Sequence, residues 1–193
     1  MVRYMPPVRN LAPGHTVTYP NREKAGSKAT KMIVVLLLLV SVGLMLIVTI
    51  GGWSKLQGLK PVNLAWCVVY LVLAFYIAKR WARGLLPIAA ALAILLLILT
   101  LIAGLGLAGT SWFDRSHAGF AAPQSPFGGK GLSPDVLGTF TLLIAPVQVL
   151  LIAFSLYGFS QGWNVEVETP IDEAKRRGDK STGGSPPPEP ATA

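Results

Sequence analysis

Residues 136–160 read VLGTFTLLIAPVQVLLIAFSLYGFS, twenty-five positions without one charged side chain. An apolar run of 18 or more residues is long enough to cross the ~30 Å hydrocarbon core of a bilayer as a helix. Three more uncharged apolar runs occupy 32–50, 62–78 and 85–108. Inside lipid there is no water to satisfy backbone N–H and C=O groups, so such runs must bond to themselves as helices. The expected fold is therefore all-α. It is an integral membrane bundle of four transmembrane helices over about 32–53, 62–80, 85–109 and 136–161, together a domain spanning 32–162.

The rest of the chain fits that solvent. Charged residues make up 13% of the 193 positions, against about 25% in an ordinary soluble domain. They are confined to the segments between and beyond the apolar runs. The net charge of +8 is spread beside helix ends rather than gathered on one folded face, so no nucleic-acid partner is expected. The partners expected are the lipid bilayer and other membrane subunits or further copies of this chain. Cys67 is the only cysteine, which excludes an internal disulfide and the dithiol chemistry of membrane thiol oxidoreductases.

Charge also orients the bundle. With both termini on one side, that side carries thirteen Lys and Arg residues and the other side four. Basic residues near helix ends are retained in the cytoplasm, so both termini are expected there. The Ala, Gly and Pro content and the short inner loop suggest a bacterial inner membrane. Trp53, Trp66, Trp81, Trp112 and Trp163 all fall near run ends. Indole rings favour the headgroup layer, where one edge stays apolar and the N–H stays wet, so all five are read as interfacial anchors.

Residues 1–31 hold Pro6, Pro7, Pro13 and Pro20 among scattered basic residues and show no periodicity. An irregular cytoplasmic arm is expected. The link Lys79-Arg-Trp-Ala-Arg-Gly84 is short enough to force the second and third helices into an antiparallel hairpin. Gly84 is the residue suited to the left-handed conformation that ends a helix. In the tail, 163–193, Thr169 and Pro170 suit a helix start and Gly178 a stop, so a short helix is placed over about 170–177. The Pro- and Ser-rich end beyond it has the composition of a disordered segment.

The outer loop, 109–135, is Gly- and Pro-rich yet carries Phe113, Phe120 and Phe127. Aromatic side chains in a polar loop need an apolar partner. They are read as dipping into the headgroup layer or docking another protein.

Chemistry is sparse inside the runs. An ionisable side chain within a membrane is costly and usually functional, and these four runs contain none. The histidines, His15 and His117, flank the bundle on opposite sides. Proton coupling, intramembrane haem ligation and serine–histidine proteolysis each lack their residue. His117 with Asp114 and Asp135 reads as solvated loop rather than a metal site. No cofactor and no catalytic activity are expected.

The fourth run is the exception to this plainness. Thr141, Gln148 and Ser155 recur every seven residues with Ala145 between them, which lines them on one stripe of a helix. Pro146 sits beside Gln148 and frees a backbone carbonyl. The stripe reads as a polar, small-residue seam for helix packing. The alternative is a kinked pocket wall. Ala89 with Ala93, and Gly104 with Ala108, give the third run two further small-residue pairs.

From sequence, the chain is expected to be a non-catalytic accessory or scaffold subunit of a membrane complex. The competing expectation is a small oligomeric transporter or channel for an apolar or neutral solute.

Overall fold

The computed structural model describes residues 13–56, 60–105, 126, 128–129 and 131–181. In chain order these form β1 (His15–Thr18), α1 (Pro20–Glu23), α2 (Ala25–Gly51), α3 (Lys60–Arg80), α4 (Leu85–Leu105), α5 (Pro134–Ser160), β2 (Val167–Pro170) and α6 (Ile171–Ser181). Among the described residues, α2, α3, α4 and α5 are long and apolar enough to cross a membrane. At 1.5 Å per residue the two 21-residue helices are ~31 Å long, close to the thickness of the hydrocarbon core.

Between 28% and 39% of the apolar window of each of these helices is buried inside the protein. A narrow inward stripe with an apolar outer face is what lipid-facing helices need, since the outward face is not penalised for being hydrophobic. The inward stripes of α2 (Val34, Leu38, Val42, Met45) and α3 (Tyr70, Leu73, Ala74, Ile77) meet those of α4 (Ala89, Ala93, Leu96) and α5 (Ile144, Leu151) in one core.

Packing is uneven around the bundle. Helix α5 packs closely on α4 and on α2, and α2 on α3, whereas α3 barely touches α4. The short link between α3 and α4 reverses the chain, but the two arms of that hairpin lean on other helices. Small residues explain the closeness of α4 and α5. A Cβ added at Gly104 would come within 2.6 Å of Leu142 Cγ, so only glycine lets the backbones approach this closely there. Ala89, Ala90 and Ala93 are buried on the same helix.

The chain reverses after α3 in a way the sequence does not announce. The residue with positive φ is Trp81 (φ 50), not Gly84. A left-handed backbone costs a non-glycine residue about 1–2 kcal/mol, and here packing holds it. The Trp81 ring lies edge-on against Trp163 at 5.3 Å, and the Lys31 ammonium sits 4.0 Å from its centre. Lys31 Nζ also donates to Ala78 O at 3.2 Å, and Arg83 Nε donates to Phe159 O at 2.7 Å. Both cations meet carbonyls at helix C-terminal ends, where the helix dipole is negative.

The segment 13–31 is not an irregular arm. It contains β1, α1 and the first turns of α2, which begins at Ala25 rather than near 32. β1 pairs antiparallel with β2, with Thr16 opposite Thr169 and Thr18 opposite Val167. The strand forms because its hydrogen-bond partners come from the other end of the chain, which no local pattern reveals. Thr18 and Thr169 hydroxyls are 2.6 Å apart, Arg22 Nε donates to Trp163 O at 3.0 Å, and Asn21 Nδ2 donates to Gly162 O at 3.1 Å. Both terminal segments therefore sit at the same end of the bundle.

Candidate functional site

The stripe on α5 faces inward over three of its members. Gln148 and Ser155 are fully buried and Thr141 is 5% exposed. Ala145, at 8%, lies with them. Pro146 does not: it is exposed on the outer face, and α5 runs through it without interruption. Position 146 is two residues, or about 200°, from Gln148 around a helix of 3.6 residues per turn. Pro146 therefore lies off the seam, facing outward.

Gln148 joins three helices. Tyr70 OH on α3 donates to Gln148 Oε1 at 2.9 Å, and Gln148 Nε2 donates to Ser41 Oγ on α2 at 2.8 Å. Ser41 Oγ in turn donates to Leu37 O at 2.8 Å. All three side chains are fully buried. The Tyr70 and Ser41 hydroxyl protons and one amide proton of Gln148 each have an acceptor, and the amide uses both of its ends. In an apolar interior an unmet donor or acceptor costs about 1–3 kcal/mol, so the network specifies which residues must face each other. Among the described residues Thr141 makes no cross-helix bond, and it donates to Leu137 O at 2.8 Å on its own helix. Ser155 Oγ is buried and finds no hydrogen-bond partner among the described residues.

Sequence reasoning missed two of the network's members. Ser41 reads only as a small break in a Leu- and Val-rich run, and Tyr70 lies mid-span with nothing to mark it. A usable signal existed: a hydroxyl at mid-depth in an apolar helix needs a partner, and Gln148 is at comparable depth.

The tryptophans divide. Trp53 and Trp66 are half-buried, and Lys60 Nζ stands 4.8 Å from the centre of the Trp53 ring. Trp163, expected as an interfacial anchor, is wholly buried. It sits where α5 gives way to the tail, between Trp81, Gly158 and Leu86, and its Nε1 donates to Gln161 Oε1 at 2.9 Å. Gln161 Nε2 continues to Thr30 Oγ1 at 3.0 Å. The indole N–H is thus satisfied within the protein, so the ring has no need of the wet layer. Trp112, Phe113, Phe120 and Phe127 lie outside the described residues.

Where α3 and α4 part, a cavity of about 190 Å³ opens. Val62, Asn63 and Trp66 wall it on α3, Leu99 and Thr100 on α4, and Thr141 of α5 lines it too. Its surroundings are mostly apolar. The rim is exposed at Val62 and Leu99, so it opens sideways between the helices rather than along the bundle axis. Asn63 Nδ2 donates to Thr49 Oγ1 at 3.3 Å, and Thr100 Oγ1 to Leu97 O at 2.9 Å. Trp66 Nε1 is buried and finds no hydrogen-bond partner among the described residues. Thr141 is the only member of the α5 stripe that reaches this cavity; Gln148 and Ser155 do not.

No group of three or more His, Cys, Asp or Glu residues able to hold a metal ion occurs among the described residues. Comparison with family models, with curated proteins and with solved structures finds no match for this chain.

Proposed function

We propose that this protein is a non-catalytic accessory or scaffold subunit of a membrane complex, inserted with both termini in the cytoplasm. The observation that carries the proposal is the Tyr70–Gln148–Ser41 network. It commits the mid-bundle polar side chains of three helices to one another and so favours a single fixed packing over alternating ones. The ribbon of β1 and β2 reinforces it by tying the two terminal segments together. A rigid bundle with apolar outer faces and a structured terminal cap is suited to holding partners in place. The orientation follows from the excess of Lys and Arg on the side of the termini.

The test is purification from the native membrane in a gentle detergent. A membrane protein that co-purifies in fixed stoichiometry, and is lost when the β1–β2 cap is deleted, is the expected result. A lone monodisperse species refutes the proposal. Orientation is checked separately by labelling single cysteines placed at positions 24 and 55 with an impermeant maleimide in intact cells. Position 55 should react and position 24 should not.

A small oligomeric transporter or channel for an apolar or neutral solute is the second reading, and the cavity between α3 and α4 favours it. Ala103→Leu, which adds bulk at the cavity wall, separates the two. Loss of solute flux in proteoliposomes with co-purification unchanged would establish transport and sink the scaffold.

A further inference from the structure

Where α2 begins and α3 ends, three lysines gather that neither helix answers with a carboxylate. The chain holds no Asp or Glu between Glu23 and Asp114. Lys31 Nζ donates to Ala78 O at 3.2 Å and stands 4.0 Å from the centre of the Trp81 ring. Those contacts hold the ammonium in place, and both partners are neutral. An ammonium has three protons to give, and Ala78 takes one. Lys28 is three residues from Lys31, which turns it about 60° around α2 and sets it about 4.5 Å further out along the axis. Lys79 follows Ala78 on α3, about 1.5 Å further out. Both are exposed, so they flank the Lys31–Ala78 contact on the outer side of the α2–α3 seam. The neighbouring cations turn elsewhere, Arg80 to the ring of Tyr76 and Arg83 to that of Phe159. In the terminal cap, Glu166 accepts from Tyr19 OH at 3.2 Å.

Below these cations each helix turns apolar on the same face. On α2, Met32 lies four residues on from Lys28, and Leu39 seven beyond that. On α3, Phe75 and Leu71 lie four and eight residues before Lys79. Positions spaced by four or seven share one helix face. All four apolar side chains are exposed, and they belong to runs long enough to cross the hydrocarbon core. The seam therefore pairs a level of fixed positive charge with an apolar groove leading away from it. A free anion or a soluble acidic partner would use only the first. A zwitterionic headgroup would bring its own cation to lysines that already repel one another. The ligand that fits both parts has a headgroup of net negative charge and an acyl chain.

We propose that the α2–α3 seam, at the end of the bundle that bears the terminal segments, binds one anionic glycerophospholipid, its phosphate accepting from Lys28, Lys31 and Lys79 and an acyl chain lying along Met32 and Phe75. The proposal rests on the helices crossing a bilayer and is independent of whether the protein serves as a scaffold.

The experiment uses the full chain in dodecyl maltoside, with native mass spectrometry to count lipid retained from an equimolar mixture of phosphatidylglycerol and phosphatidylethanolamine. One Lys held near anionic lipid contributes about fivefold in affinity. The wild type should therefore retain one phosphatidylglycerol and prefer it by about tenfold or more. Lys28→Gln should lower that preference about fivefold, and Lys28→Gln with Lys79→Gln should nearly erase it. Lys175→Gln with Arg176→Gln removes the same charge from exposed positions of α6 and should leave it unchanged. No retained lipid, equal retention of the two lipids by the wild type, an unchanged preference in the Lys28 and Lys79 double variant, or an equal loss in the α6 double variant each overturns the proposal. Displacement of the lipid by millimolar inorganic phosphate would make a free anion the ligand and overturns it as well.

Discussion

Replacing Gln148 tests the network that sets the helix arrangement. Gln148→Leu removes two cross-helix hydrogen bonds, to Tyr70 and to Ser41. Between membrane helices such bonds contribute on average ~0.6 kcal/mol each, so their loss costs about 1.2 kcal/mol. The Tyr70 hydroxyl, fully buried, is then left without an acceptor, which adds roughly 1–3 kcal/mol. Ser41 keeps its bond to Leu37 O and adds little. The expected destabilisation is about 2–4 kcal/mol. Tyr70→Phe loses one bond and leaves a carbonyl oxygen unmet, for about 1–2 kcal/mol. Combining the two substitutions removes the orphaned hydroxyl. The double variant should therefore be more stable than Gln148→Leu alone, by about 1 kcal/mol or more. The assay is reversible unfolding in bicelles, read by steric trapping across the cycle. If the two single effects simply add, within the ~0.5 kcal/mol expected of independent sites, Tyr70 and Gln148 are not partners and the network is refuted.

Three further outcomes follow from the packing. Trp163→Ala should cost about 3–5 kcal/mol, as removal of a large buried aromatic does, and should expose 13–24 to limited proteolysis; an unchanged digestion pattern would show that Trp163 does not support the terminal cap. Gly104→Val should force α4 from α5 against Leu142 and lower stability by about 1–3 kcal/mol, whereas Gly43→Ala, with open space around its added methyl, should be neutral or stabilising by up to ~1 kcal/mol; thermal unfolding in micelles distinguishes them, and equal effects would mean the close approach is not real. Thr16→Cys with Thr169→Cys, directly opposite in the ribbon, should form a disulfide on mild oxidation, visible as a faster-migrating band without reductant; a shift absent in the folded protein would refute the strand pairing.

The apolar runs were legible because each decision is local. A residue's preference for lipid or water is its own property, and a run of such preferences adds to a span wherever the rest of the chain goes. The inward stripe on α5 was legible too, since the spacing of Thr141, Gln148 and Ser155 is a property of one helix. Pro146 shows the limit of that reasoning. Adjacency in sequence to Gln148 suggested a shared site, yet helical geometry turns it outward. Trp163 shows another limit: position near a run end suggested the headgroup layer, but Gln161 satisfies its N–H and Trp81 covers its face.

What the sequence by itself determined is the number of helices long and apolar enough to cross a membrane and the concentration of charge in the segments outside them. Those depend on side-chain transfer preferences summed along short segments. Only the tertiary structure decided which buried hydroxyls Gln148 meets, that the two terminal segments pair, and that α3 and α4 part to leave a cavity. Each of these links residues far apart in the chain, 78 positions for Tyr70 with Gln148, 107 for Ser41 with Gln148 and 151 for Thr18 with Thr169. Such contacts form when helices leaning on one another bring unmet hydrogen-bonding groups together away from water, and that condition belongs to the assembled bundle rather than to any one run.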